Sequence, residues 1–483
     1  MEQCRLSAHI VDSRFYSRGY CTDEARKIFC DLYRYQRWLD VESALALSQA
    51  ELEIIPAWAA REITARARLE ELDLGAIEQG LRTTSHSLMP LLDAWRAVCE
   101  PAAGQFIHFG ATTQDIQDTA QSLEMRDVLD IVQRDLAAVI RQVMTLAERY
   151  RDMVTIGRTH TQHALPMTLG LKMVVWLDEL WRNQQRLTAI RDRVLVSQLF
   201  GGVGTMDAFA DKGFELLEVF SRRLGLAPAR TAWHAARDRV AEFLATMSLV
   251  AGALARIADE IRCLARNEIG ELEEPFQMGK IGSSTMPHKR NPEMCEQVVV
   301  LSRLINANAG LGLEGLVSEH ERDYRSVRME WVTVADTSLF ICGQLAMMKE
   351  ILADLIVHEK AIRRNVDQAA IMICTEALMF FLGRKIGKNT AHRIIYETSM
   401  AAVESGRPLI ELLMEQPEIR ENFRRSELET MISPENHVGK SAELTRRTID
   451  LVDRELAELS LPPDRERACP MAGTRGGCRI SAQ

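Results

Sequence analysis

Apolar side chains recur every three or four positions over most of this chain, the spacing that lines one face of a helix. One such stripe runs from about Ala25 to Leu52. Another runs from Arg126 to Tyr150 through Val128, Ile131, Val132, Leu136, Val139, Ile140, Val143 and Leu146. A third follows Pro166 and extends to about Val196. From His234 to Asn267 there is no proline and a single glycine, Gly252, so an uninterrupted rod is predicted. Pro292 to about Val317 and Trp331 to Val357 supply two more long segments. An average helix has about 11 or 12 residues, so spans of this length predict a long-helix bundle rather than a rounded globule. Alternating Val, Ile and Thr between turn signals is scarce, which leaves little strand. The expected class is all-α.

Glycine, proline and polar residues cluster at four places and mark the breaks. These are residues 101–115 (PAAGQFIHFGATTQD), 155–168 (TIGRTHTQHALPMT), 200–212 (FGGVGTMDAFADK) and 275–292 (PFQMGKIGSSTMPHKRNP). They suggest a helical domain over residues 1–105, a central long-helix domain over 106–355 and a smaller helical domain over 356–460. Residues 461–483 lack apolar periodicity and are expected to be poorly ordered. No internal repeat is seen.

Composition narrows the function. At 483 residues, with 47% hydrophobic and 26% charged, the chain is an ordinary globular protein with length enough for a large core. A net charge of −9 argues against nucleic acid as the main partner, which would call for a basic surface. The ten cysteines show no CxxC pair, so reduced thiols are expected rather than zinc ligands or a redox motif. No basic segment followed by an apolar run opens the sequence, and no run of about 18 uninterrupted apolar residues occurs. A cytoplasmic protein with no membrane span is expected. Neither a metal nor an organic cofactor is indicated.

The interior breaks carry histidine, serine and threonine beside glycine, each at the end of a predicted helix. Helix amino termini present unpaired N–H groups and a positive dipole, so ends gathered by a bundle would suit a multiply anionic ligand. In the fourth break Gly282 gives the backbone freedom, and Ser283, Ser284 and Thr285 offer hydroxyls. Pro287 suits the first turn of a following helix. Lys289 puts positive charge where the helix dipole disfavours it, which points to a ligand rather than to helix stability.

The string GSSTMPHKRNP, Gly282 to Pro292, resembles the signature of the aspartase/fumarase superfamily. HFGATTQDIQDTA (His108 to Ala120) and GRTHTQHALPMTLG (Gly157 to Gly170) resemble two further regions of that group, in the same order. TTSHSLMPLL (Thr83 to Leu92) is similar to the upstream histidine segment of its adenylosuccinate lyase branch. The resemblance implies a homotetramer with a central twenty-helix bundle and active sites shared between subunits. It implies anti β-elimination from a small dicarboxylate, releasing fumarate or a related acid. Ser283 would be the general base, with Lys289 and Asn291 binding the aci-carboxylate intermediate. His160 would protonate the leaving group and His86 assist it. Thr112, Thr113, Gln114, Thr159 and Ser284 would bind substrate. A capping or packing histidine is an equal reading for His86, and His108 and His163 are expected to be structural or to support residues that touch substrate.

Two departures bear on the branch. Where adenylosuccinate lyases carry a glutamine, AWHAARDR places His234. Where they hold a nucleotide phosphate with serines and an arginine, ERDYRSVRMEW places Val327, Arg328 and Trp331. These segments look more like the 3-carboxymuconate cycloisomerase-like branch, whereas retention of His160 favours a true elimination. The expected activity is therefore a carbon–nitrogen lyase acting on a substituted succinate. A cycloisomerase and an adenylosuccinate lyase are the alternatives. A structural, crystallin-like role is disfavoured because His160, Ser283, Lys289 and Asn291 all stand.

Overall fold

The computed structural model describes residues 8–276, 279, 285, 286 and 288–459. The chain opens with helices α1 (Asp23–Phe29), α2 (Asp31–Glu51), α3 (Ala57–Ala65), α4 (Leu74–Thr84), α5 (Met89–Val98) and α6 (Pro101–Gly104). Next come α7 (Thr113–Arg149), the strands β1 (Val154–Thr159) and β2 (Gln162–Thr168), and α8 (Leu169–Val194). Beyond β3 (Val196–Ser197), α9 (Gly213–Leu224) and β4 (Ala227–Pro228) runs α10 (Asp238–Leu264). Then β5 (Leu272–Glu273), α11 (Glu293–Glu314), α12 (Tyr324–Ala353) and β6 (Ile356–Val357) complete the bundle. The chain ends in α13 (Glu359–Ile373), α14 (Thr375–Ile386), α15 (Lys388–Ser405), α16 (Leu409–Glu415), α17 (Pro417–Asn422), α18 (Arg425–Met431) and α19 (Ser441–Glu458). Among the described residues helix accounts for 72% and the strands form three two-stranded ladders, so the class is all-α.

Two expectations change in detail. The stripe over Ala25 to Leu52 is two helices, because Cys30 takes extended backbone (φ −70°, ψ 146°) and ends α1 before α2 begins. The second break, 155–168, is a β-hairpin rather than a loop, with β1 antiparallel to β2 and an irregular register at Gly157/Arg158.

Five long helices, α7, α8, α10, α11 and α12, pack side by side. Their starts are set by local chemistry. Asp115 accepts from the Thr112 N–H at 3.0 Å ahead of α7, Thr168 Oγ1 accepts from Leu171 N–H at 3.2 Å, and Asp323 accepts from Arg325 N–H at 3.0 Å. Helix α7 is the most enclosed: every residue from Gln114 to Met125 is buried. A helix so placed must satisfy its own glutamines and carboxylates from its neighbours. Segments 238–264, 324–353 and 359–386 are long and apolar enough to cross a membrane by length and composition. In the first two, 61% and 67% of the apolar window is already buried inside the protein.

One apolar core runs through the amino-terminal helices and the bundle and takes in α13 and α19. A second, smaller core lies between Leu378 and Leu428. Among the thiols, Cys21, Cys99 and Cys374 are buried, and burial pushes each up to about 11, as fits unreactive packing residues.

Candidate active site

Those of the nominated residues that the structure describes fall into two groups at opposite ends of the bundle. Helix α7 has 37 residues and, at a rise of 1.5 Å each, is about 55 Å long. Thr112, Thr113 and Gln114 stand at its amino end. His160 stands on the hairpin that follows its carboxyl end. Within one chain Thr113 therefore opens this helix while His160 lies past its other end.

At the amino end of α7, three breaks in the helices converge. Arg322 Nη1 donates to Thr112 Oγ1 at 3.0 Å, and its Nη2 donates to the carbonyl of Gly202. The loop at 108–112 turns at Gly110, where φ is +77° and a Cβ would stand 2.5 Å from the Phe209 ring, so only glycine fits. Thr113 is partly exposed in the first turn. Gln114, by contrast, is turned into the bundle, donating to Asp118 Oδ2 and to the His234 carbonyl, each at 3.0 Å.

His86 lies beside this end. Its Nδ1 accepts from the N–H groups of Leu88 and Met89 at 3.3 and 3.1 Å, so the imidazole caps α5. A ring that accepts at Nδ1 carries its proton on Nε2. The next residue ties the segment to the bundle: Ser87 Oγ accepts from Gln117 Nε2 at 2.7 Å and lies 3.4 Å from the Tyr324 hydroxyl. Tyr324 packs edge-on to Trp331 with centroids 6.0 Å apart, and Arg328 lies 5.0 Å over the Tyr324 ring. Val327 is buried, and Arg325 is engaged by Asp323 and Glu319 at 2.6 and 3.0 Å.

Beneath these loops lies a buried ionic cluster. Asp115 pairs with His234 Nε2 at 3.0 Å. Arg237, 1% exposed, donates to both oxygens of Asp118 at 2.8 and 3.0 Å and to Glu330 Oε1 at 2.7 Å. His234 therefore faces inward. Arg322, Asp115, Asp118, Arg237 and Glu330 were missed as site residues. The one signal was their presence inside the quoted segments HFGATTQDIQDTA, AWHAARDR and ERDYRSVRMEW.

The other end carries Thr159, His160, Lys289 and Asn291. His160 and Thr161 form the two-residue turn between β1 and β2, with φ of +49° and +67°. Such turns favour Asn and Gly, and a β-branched threonine held there is strained by about 1–3 kcal/mol. Both side chains are exposed, as is Thr159. Arg158 fastens the hairpin to Glu271 at 3.0 and 2.6 Å, and Asn365 donates to the same carboxylate at 2.9 Å. Glu273, two residues on, pairs with Arg290 at 3.1 Å and with His358 at 2.9 Å. The hairpin and the 288–291 segment thus share one support. Lys289 is exposed and, among the described residues, makes no ion pair. Ser283 and Ser284 lie outside the described residues.

His163 lines a cleft of about 280 Å³ with Arg158, Glu268, Asn365 and Met372, away from the tip. His108 Nδ1 lies 2.6 Å from Glu42 in a buried pair. Among the described residues no three His, Cys, Asp or Glu side chains are grouped to hold a metal ion.

What the arrangement offers is two half-sites. One has a hydroxyl backed by a guanidinium at a helix amino end, suited to carboxylate. The other has an exposed imidazole and an exposed ammonium on segments held by Glu271 and Glu273. Residues 18–306 match the lyase family model, and residues 372–448 match that of the adenylosuccinate lyase C-terminus. N-acetyl-S-(2-succino)cysteine lyase of Dickeya dadantii is 39% identical over 93% of this chain and 98% of its own. Adenylosuccinate lyase of Pyrococcus horikoshii is 37% identical over 93% and 98%. Among solved structures, 3-carboxy-cis,cis-muconate lactonizing enzyme of Pseudomonas putida superposes with a TM-score of 0.84, at 30% identity over 92% and 99% of the two chains. A fumarate lyase from Mesorhizobium sp. BNC1 gives 0.83 at 32% identity over 89% and 98%. The chain belongs to the aspartase/fumarase lyase superfamily, in its adenylosuccinate lyase-like branch.

Proposed function

We propose that four copies of this chain form a lyase that eliminates an N- or S-linked group from a substituted succinate and releases fumarate. The observation that supports this is the placement of the two groups: within one chain Thr113 opens the 37-residue helix α7 and His160 follows its carboxyl end, so a complete site would draw on other copies. The bundle surface supports the same reading. On α11, Val300, Leu304 and Leu311 stand 42%, 38% and 46% exposed on one stripe. Val175 on α8, Leu249 on α10 and Val332 on α12 are 54%, 54% and 57% exposed. Apolar stripes on helices this long are what packing against further helices would bury. Five long helices from each of four chains give a twenty-helix core.

In this reading Ser283, as an alkoxide, takes the proton from the carbon beside a carboxylate. Lys289 and Asn291 stabilise the aci-carboxylate, and the hydroxyls of Thr112, Thr113, Thr159 and Ser284 hold the carboxylates. Gln114 joins them only through its place in the first turn of α7. The carbon–heteroatom bond then breaks and His160, with His86 as donor, delivers a proton to the leaving atom. Nitrogen was the expected leaving atom. The relatives named for N-acetyl-S-(2-succino)cysteine make the thioether the first substrate to try.

The test is fumarate release, followed by ultraviolet absorbance, from S-(2-succino) thioethers, N-substituted succinates and adenylosuccinate. Turnover is expected with one of the first two classes and is lost in Ser283→Ala. Full turnover in that variant contradicts the assignment of the base. A second reading, cycloisomerisation, draws on the superposition with the lactonizing enzyme. Turnover of 3-carboxymuconate without fumarate would establish it instead.

A further inference from the structure

We propose that Asp115 is a positioning residue for the substrate-carboxylate end of the site. This rests on the reading of the α7 amino end as that part of the site. The Asp115 carboxylate is fully buried, and four donors converge on it. Oδ1 accepts from the Phe200 N–H and His234 Nε2, both at 3.0 Å. Oδ2 accepts from the Gly201 N–H at 2.9 Å and the Thr112 N–H at 3.0 Å. A carboxylate has about four lone-pair sites, and all four are used.

Phe200 is anchored in the core, but the chain just beyond Gly201 has little else to hold it. The loop after Phe200 reads GGVGT; Gly202 and Val203 are exposed and bring no apolar anchor to the core. Its place over Thr112 is set by Asp115 from below and by the Arg322 bond to the Gly202 carbonyl from above. Asp115 itself is held because His234 precedes Arg237, which clamps α7 to α12 through Asp118 and Glu330. Three elements distant in sequence are thereby fixed around one carboxylate. Hydrogen bonds to an ionised acceptor are about twice as strong as neutral ones, which suits a loop whose tip, Gly202 and Val203, is not held by packing.

The experiment compares Asp115→Asn, His234→Ala and His234→Gln with the wild type. An asparagine presents an N–H₂ group to donors and so breaks at least one pair of these bonds. In Asp115→Asn, hydrogen exchange at the Phe200 and Gly201 amides should accelerate while the helical signal is kept. KM should rise by about tenfold or more, the equivalent of one charge-assisted hydrogen bond, with a smaller change in kcat. His234→Ala should shift KM in the same direction, and His234→Gln, which keeps a donor at a similar reach, should restore most of it. Unchanged exchange at 200–201 in Asp115→Asn overturns the proposal, as does His234→Gln behaving like His234→Ala. A lowered melting temperature with wild-type KM would show a merely structural role and also overturn it. If the wild-type protein releases no fumarate from any substituted succinate, the proposed reaction fails, and the exchange measurement still decides the positioning.

Discussion

Arg158 and Glu271 face each other across the base of the hairpin with two parallel hydrogen bonds, Nη1 to Oε2 at 3.0 Å and Nη2 to Oε1 at 2.6 Å. Their side chains are 14% and 2% exposed, so neither charge is well hydrated if the other is removed. Glu271→Ala should therefore destabilise the protein by about 3 kcal/mol, as expected for an orphaned buried charge. It should also depress activity, because the hairpin carrying His160 loses its anchor. Denaturant unfolding of the variant checks the first point; an unchanged midpoint contradicts it.

The joint between α7 and α8 is closer still. A Cβ on Gly170 would stand 2.6 Å from Arg151 Cα and 2.8 Å from the Ala147 carbonyl oxygen, both main-chain atoms that no rotamer change can move. Gly170→Ala should push α8 away from α7 and cost about 1–3 kcal/mol or more. The thermal midpoint should fall, and with it the yield of soluble protein. A variant as stable as the wild type would show that the joint has slack.

How far the sequence announces all this depends on the separation of the partners. The long helices are legible because a stripe such as Val128 to Leu146 repeats within itself. The break at Cys30 is not, since no glycine or proline marks it. The hairpin escapes because Pro166 interrupts β2 and its turn is His160-Thr161 rather than an Asn-Gly pair. Ser283, His160 and Lys289 are nominated only through short motifs with fixed spacing. The buried cluster is the opposite case. Asp118, Arg237 and Glu330 each look like surface charges, and only folding brings partners 119 and 93 positions apart together. The role of His86 as a cap was readable as one of two alternatives, since a histidine just ahead of an apolar helix suits either.

The pair His108–Glu42 gives a pH dependence. Burial alone would lower the His108 value from 6.5, but the Glu42 carboxylate outweighs it and the ring is raised above that value. A raised histidine binds more protons folded than unfolded, so its stabilisation is fully present below about pH 6.5 and is lost as pH rises through the folded value. The stability difference between wild type and His108→Gln should therefore shrink from pH 6 towards alkaline pH. A difference that grows over that range contradicts the pairing.

The central claim is that a site is completed only when copies of the chain contribute opposite ends of the bundle. It is tested most directly by mixing two inactive variants. His160→Ala damages the hairpin end, and a Thr112→Val, Thr113→Val double variant damages the amino end of α7. Dissociated together and reassembled, they should release fumarate well above the sum of the two separate preparations, because some sites draw both intact ends from different chains. A mixture no more active than that sum would contradict the account.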